Sequence, residues 1–171
     1  SETLNQEDMK WIIIIVVALI ALIALAYLIG YFMPVRHKAS MTVKLNATPQ
    51  RTWSIVRSPQ EFMTWRSGLK NVISTDSTHW TEISGNGTIH YEVEILHPNE
   101  TFVSRIMNKD LPFGGSWTFE LKPADQQTQL TITEDGEVYN PIFRFMSKYV
   151  FGHEASLRQY ATDLDKYINK K

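Results

Sequence analysis

Two side chains carry most of the acid–base potential of this sequence, Glu134 and His153. Glu134 is in phase with Leu130 and Ile132, so in an extended segment its carboxyl shares the apolar face. Burial there would disfavour the ionised form, raise the pKa and make the group an acid or base. His153 falls on a helical apolar repeat between Tyr149 and Tyr160, where an imidazole would anchor a carbonyl or hydroxyl. Tyr91 offers another phenol, from the alternating stretch Ile89, Tyr91, Val93, Ile95 with His90, Glu92 and Glu94 opposite. Both lead residues also have plain structural readings. Glu134 is then a strand-end carboxyl in water or bonded to a neighbouring helix, and His153 a core histidine satisfied by one internal hydrogen bond.

Other chemistries find no support in the residues. The chain has no cysteine, which excludes disulfides, thiolate nucleophiles and cysteine-ligated zinc. His79, His90 and His97 are not at a metal-ligand spacing, and His90 lies on the polar side of its strand, so no metal is expected. Gly114-Gly115 precedes a strand rather than a helix, which argues for a backbone bend and against a phosphate loop. No nucleophilic triad is visible, and no cofactor is expected. Seventeen basic against eighteen acidic side chains leave a net charge of -1, so nucleic acid is not an expected partner.

The elements that would position these groups begin with an uncharged run, Trp11 to Met33. As a helix it is about 35 Å long, enough to cross a hydrocarbon layer of roughly 30 Å. Trp11 at one end and Tyr27, Tyr31 and Phe32 at the other suit the two interfaces, and Pro34, Arg36, His37 and Lys38 stop the run. A cleaved signal peptide is the alternative, with Lys10 as its basic start and Ala24-Leu25-Ala26 as its cut, although Tyr27 to Met33 continues the apolar run beyond that point. Glu2, Glu7, Asp8 and Lys10 precede the span, and Arg36, Lys38 and Lys44 follow it, a margin of two side chains in favour of a cytoplasmic soluble domain; with a start at Met9 the acidic flank disappears and the opposite topology is equally plausible. The organisation expected is a tail over 1–10, a transmembrane helix over 11–33, a linker over 34–39 and one soluble domain over 40–171, since the remainder has room for one core.

Past residue 40, Met41, Val43 and Leu45 alternate with polar residues as a half-buried strand. Thr48-Pro49 starts a helix as cap and first-turn proline, and Ser58-Pro59-Gln60-Glu61 reads as a capping box for a second short helix carrying Phe62, Met63 and Trp65, with Gly68 placed to end it. Six strands follow at about 69–75, 79–84, 87–97, 100–108, 115–122 and 127–134, joined by short turns at Ser84-Gly85-Asn86-Gly87, Pro98-Asn99 and Pro123-Ala124-Asp125. Trp117, Phe119 and Leu121 alternate with Ser116, Thr118 and Glu120, which gives the sheet one buried and one wet face. Asn140-Pro141 opens a last helix whose stripe, from Ile142 and Met146 through Tyr149, His153, Leu157, Tyr160 and Leu164, runs to Ile168. The spacing predicts one continuous helix. Phe143, Phe145, Val150 and Phe151 make its first half apolar on the other sides too, a surplus for loops, membrane or a protein partner.

The predicted class is therefore α+β. A curved antiparallel sheet of about seven strands wraps a long C-terminal helix, with two short helices after the first strand and the membrane helix in front: the helix-grip arrangement. Three stretches resemble the SRPBCC or START-like superfamily, and within it the polyketide cyclase/dehydrase type: Thr48-Pro49-Gln50-Arg51-Thr52-Trp53, Pro112-Phe113-Gly114-Gly115-Ser116-Trp117, and Thr131 through Pro141. The resemblance covers about residues 40–170 and leaves out the membrane helix. It implies a deep pocket between helix and sheet for an apolar small molecule or lipid. On that reading the pocket is lined by Trp65 from the second short helix, by Tyr91, Val93, Trp117, Phe119, Ile132 and Glu134 from the sheet, and by Tyr149, His153, Leu157 and Tyr160 from the last helix.

Three functions fit this expectation, since fold alone does not fix function. The first is a non-enzymatic, membrane-tethered module binding a hydrophobic or amphipathic molecule. The second is a cyclase- or dehydratase-like enzyme using Glu134, His153 and a tyrosine. The third is a protein-interaction module using the surplus around Phe143 to Phe151.

Overall fold

The computed structural model describes residues 5–170. Ser1 to Leu4, including Glu2 of the acidic flank, and Lys171 lie outside the described residues. The chain divides into two compact units, one of residues 5–35 with 138–152, the other of residues 36–137 with 153–170.

The larger unit is built on one seven-stranded sheet. Its strands are β1 (Arg36–Leu45), β2 (Leu69–Ser74), β3 (His79–Ser84), β4 (Gly87–His97), β5 (Thr101–Ile106), β6 (Phe113–Ala124) and β7 (Gln127–Val138), in the order β1-β7-β6-β5-β4-β3-β2. β2 to β7 form a meander, and β1 closes on its far edge by pairing antiparallel with β7 from Arg36↔Glu137 to Leu45↔Thr128. Ser84↔Gly87 brackets the two-residue turn Gly85-Asn86, and Asn99 and Asp125 take positive φ at the two later turns. Between β1 and β2 lie α2 (Pro49–Val56) and α3 (Phe62–Trp65). Thr48 caps α2 with its hydroxyl accepting from the Arg51 amide, as its residue pair predicts.

The helix that grips the sheet carries Leu157, Tyr160, Ala161, Leu164 and Ile168 on its buried face, and spans Ala155–Ile168. Leu157, Tyr160, Leu164 and Ile168 join Leu45, Phe102, Phe119, Leu130 and Ile132 in one core. At roughly 25 cal/mol per Å² of apolar surface withdrawn from water, this stripe is the main force holding helix to sheet.

Three expectations are corrected. The last helix is not continuous: α4 (Pro141–Met146) passes into a wide turn at Ser147–Phe151, and α5 (Ala155–Ile168) starts afresh. Gly152 sits between them at φ 77°, a left-handed backbone that a right-handed helix cannot pass through. Hence Ile142, Met146 and Tyr149 leave the stripe, and Tyr149 is 58% exposed. The capping box at Ser58 does not form. Its hydroxyl donates to the Ser54 carbonyl at 2.6 Å and a tight turn, Pro59–Glu61, precedes α3. Finally, most of the expected linker is strand, because β1 starts at Arg36 and β7 continues to Val138 to pair with it.

The smaller unit contains α1 (Gln6–Phe32), whose N-terminus Asn5 caps by accepting from the Glu7 amide. Its isoleucines, leucines and valines point outward along the whole length. One helix this long and apolar is consistent with single-pass membrane anchoring, and a signal sequence meets the same description. α4 lies against it. Arg144 is buried and donates to the Met33 carbonyl at 2.7 Å, just where α1 ends and its last carbonyls lack helical partners.

Candidate functional site

One polar group set into the apolar face of the sheet is Glu134. It stands on β7, opposite Ala39 of β1, with its side chain only 19% exposed. Two residues further along the same ladder His37 faces Gly136. A side chain at 136 would overlap the His37 imidazole, so the glycine makes room for that ring beside Glu134. Gly115, at φ 118°, performs a similar service on β6: a Cβ there would strike the Asp135 carbonyl.

Within this space the His37 ring stacks on His153 with centroids 4.1 Å apart and planes 18° from parallel. His37 Nε2 is 3.6 Å from Glu134 Oε1, and Glu134 Oε2 is buried with no hydrogen-bond partner among the described residues. Burial pushes the Glu134 carboxyl up, partly offset by the Trp117 indole N–H, and burial pushes the His37 imidazole down. A carboxyl and two imidazoles therefore meet in a poorly solvated setting, where hydrogen bonds can be exchanged and a proton moved.

Next to this cluster the interior is aromatic. Tyr160 of α5 contacts Trp65, Trp117 and Phe119 at 5.1, 5.6 and 5.6 Å, and Trp80 stacks on Tyr91 at 5.3 Å. These rings occupy the middle of the space between α5 and the sheet. A second polar cluster lies among them. Arg66 makes a two-pronged pair with Glu82, its Nη2 donating to Oε2 at 3.0 Å, while the Trp80 indole donates to Oε1 at 3.0 Å. The guanidinium also sits over the Phe62 and Tyr160 rings at 5.0 and 5.3 Å. Burial raises the Tyr91 and Tyr160 phenols, which stay neutral.

Among the expected site residues, Glu134, His153 and Trp117 gather around His37. Trp65, Tyr91, Val93, Phe119, Ile132, Leu157 and Tyr160 belong to the adjoining core or pack on it, and Ile132 and Leu157 are wholly buried. Tyr149 does not join them, for the reason given above. His37, Arg66 and Glu82 were missed. Glu82 shares strand parity with Trp80, which is a readable sign that its carboxyl faces inward. Among the described residues no group of three or more His, Asp or Glu is placed to hold a metal ion.

The profile of a family described as "Polyketide cyclase / dehydrase and lipid transport" matches residues 36–166, from the strand bearing His37 almost to the end of α5. The chain belongs to this family. Solved structures share the fold. A START superfamily protein from Mycobacterium smegmatis aligns with a TM-score of 0.65 at 18% identity, over 78% of this chain and 98% of that one. A conserved protein from Geobacillus kaustophilus gives 0.63 at 17% identity, over 78% and 96%. Truncated norcoclaurine synthase from Thalictrum flavum gives 0.63 at 10% identity, over 80% and 96%. At such identities the likeness concerns the fold, which is the START-like helix grip. No match is found among curated proteins.

Proposed function

We propose that this chain is a non-enzymatic, membrane-tethered domain of the family that binds a hydrophobic or amphipathic small molecule or lipid between the sheet and α5. The observation that carries this reading is the buried Glu134 Oε2 without a partner, beside a stacked pair of imidazoles. A buried acceptor left unmade costs about 1–3 kcal/mol, and a ligand hydroxyl or amide N–H would supply the missing bond. The apolar part of the ligand lies along Trp117 and Tyr160, whose rings must shift to admit it. Held at the bilayer by α1, the domain would meet membrane-dissolved ligands at high local concentration. The balance of Arg36, Lys38 and Lys44 against Lys10 supports a cytoplasmic side by the positive-inside bias.

Native mass spectrometry of the full chain, extracted in mild detergent, tests this. A co-purified lipid or lipid-sized adduct is expected, weakened in Glu134→Ala. Repeatedly empty spectra for the wild-type chain would overturn it.

One observation favours a second, enzymatic reading. Glu134 is pushed up and His37 down, 3.6 Å apart, so burial draws their proton affinities together and favours proton transfer between them. With candidate substrates, that reading requires Glu134→Gln to abolish turnover, whereas a binding domain loses only part of its affinity.

A further inference from the structure

The smaller unit has an apolar surface that ligand binding in the sheet does not use. Pro141 approaches α1 so closely that a Cβ on Gly30 would overlap the Pro141 carbonyl. From that point Ile142, Phe145 and Met146 run alongside α1, lining with Leu22 to Ile29 an open apolar groove of about 510 Å³. Leu22 is eleven residues from Trp11 and eleven from Met33, so it marks the middle of the span. The eight residues from Leu22 to Ile29 cover about 10 Å of helix axis. Side chains packed against that stretch lie at the depth of the hydrocarbon whenever α1 crosses a bilayer.

The composition of the segment agrees with such a place. Phe143, Val150 and Phe151 are 50%, 56% and 66% exposed, an unfavourable arrangement in water for three large apolar groups on one short stretch. Its two cations are accounted for. Arg144 donates to the Met33 carbonyl at the end of α1 and to the Tyr139 carbonyl just before α4, and the Lys148 ammonium lies over the Tyr149 ring at 5.3 Å on a stem long enough to reach the interface. Backbone donors at the start of α4 are met by the Asn140 side chain, at 2.9 and 3.2 Å, as a low-dielectric setting demands.

We propose that residues 141–151 insert into the hydrocarbon layer beside α1 as a second membrane element, presenting Phe143, Val150 and Phe151 to lipid acyl chains. This rests on α1 being a membrane tether.

The test uses the absence of cysteine from the chain, so that one introduced thiol is unique. Full-length F143C and F151C, with V150C in reserve should either fail to fold, are labelled with an environment-sensitive fluorophore and reconstituted in phosphatidylcholine vesicles. I23C on α1 reports on the tether, and E94C on the wet face of the sheet reports on water. Doxyl groups placed midway along the acyl chains should quench the probes at 143 and 151 at least about three-fold more than at 94, approaching the level at 23. Quenching at 143 and 151 no greater than at 94, with 23 still quenched, overturns the proposal and leaves the tether standing. Protection of 143 and 151 from both lipid-borne doxyl and aqueous iodide also overturns it, in favour of contact between protein chains. Loss of lipid quenching at 23 defeats the tether itself, and the inserted segment with it.

Discussion

His37 Nε2 stands 3.6 Å from Glu134 Oε1, yet burial moves each group toward its neutral form, so the two are not an ion pair held at full charge. Desolvation outweighs their mutual attraction because the distance exceeds that of a hydrogen bond and both side chains are largely withdrawn from water.

Opposite pH dependences follow for the two partners. Glu134, with its folded pKa above the ordinary 4.5, contributes stability that is fully present below pH 4.5 and lost as pH rises through the folded value. Glu134→Gln should therefore melt above wild type at pH 8, by about 2–4 °C, with the gap closing near pH 4. His37, with its folded pKa below 6.5, contributes stability present above pH 6.5 and lost as pH falls through the folded value. His37→Asn should gain on wild type at pH 5 and not at pH 8. Thermal melts of both variants across that range check the pair, and parallel curves for either variant would refute the assignment.

The Arg66–Glu82 pair should behave as a buried ion pair does. Arg66→Met strands a carboxylate that is 4% exposed, and a loss of about 3–5 kcal/mol is expected in urea denaturation of the detergent-solubilised chain. The double variant Arg66→Met, Glu82→Leu removes both charges and should recover most of that loss. Equal stability of single and double variants would show that the charge is not the cause.

Much of this architecture was readable from short-range signals. Thr48-Pro49 and Asn140-Pro141 cap their helices as written, and Trp117, Phe119 and Leu121 face the core because strand parity leaves no other choice. The same parity sets Glu134 on the inner face. What escaped depends on partners distant in sequence. His37 enters the site because β1 pairs with β7 a hundred residues away, and Glu82 is tolerable inside only because Arg66 reaches it. Periodicity treats Gly152 as one more helical position, since it cannot register a single positive φ.

Tyr160 is expected to be the most sensitive aromatic position. Tyr160→Ala removes a ring in contact with Trp65, Trp117 and Phe119, and should cost about 3–5 kcal/mol by urea denaturation, whereas Tyr160→Phe should cost under about 1 kcal/mol. A large loss in the Phe variant would mean that the phenol hydroxyl, rather than ring packing, holds the centre of the grip.

Gly30 gives the sharpest contest between local preference and tertiary contact. Helix propensity alone favours Ala over Gly by roughly 0.5–1 kcal/mol in a helix interior, so Gly30→Ala would stabilise α1 if nothing touched it. The Pro141 carbonyl is close enough that even one methyl must displace it, and a backbone atom does not yield as a flexible side chain would. Displacing Pro141 draws Arg144 away from the Met33 carbonyl and uncovers the end of α1. Gly30→Leu should therefore raise amide hydrogen exchange across 141–146 by about ten-fold in reconstituted protein, with Gly30→Ala intermediate. Exchange in β4 and β5 should stay unchanged, because those strands belong to the other unit. Slower exchange at 141–146 in Gly30→Ala would mean that propensity wins and the glycine is not there for the contact.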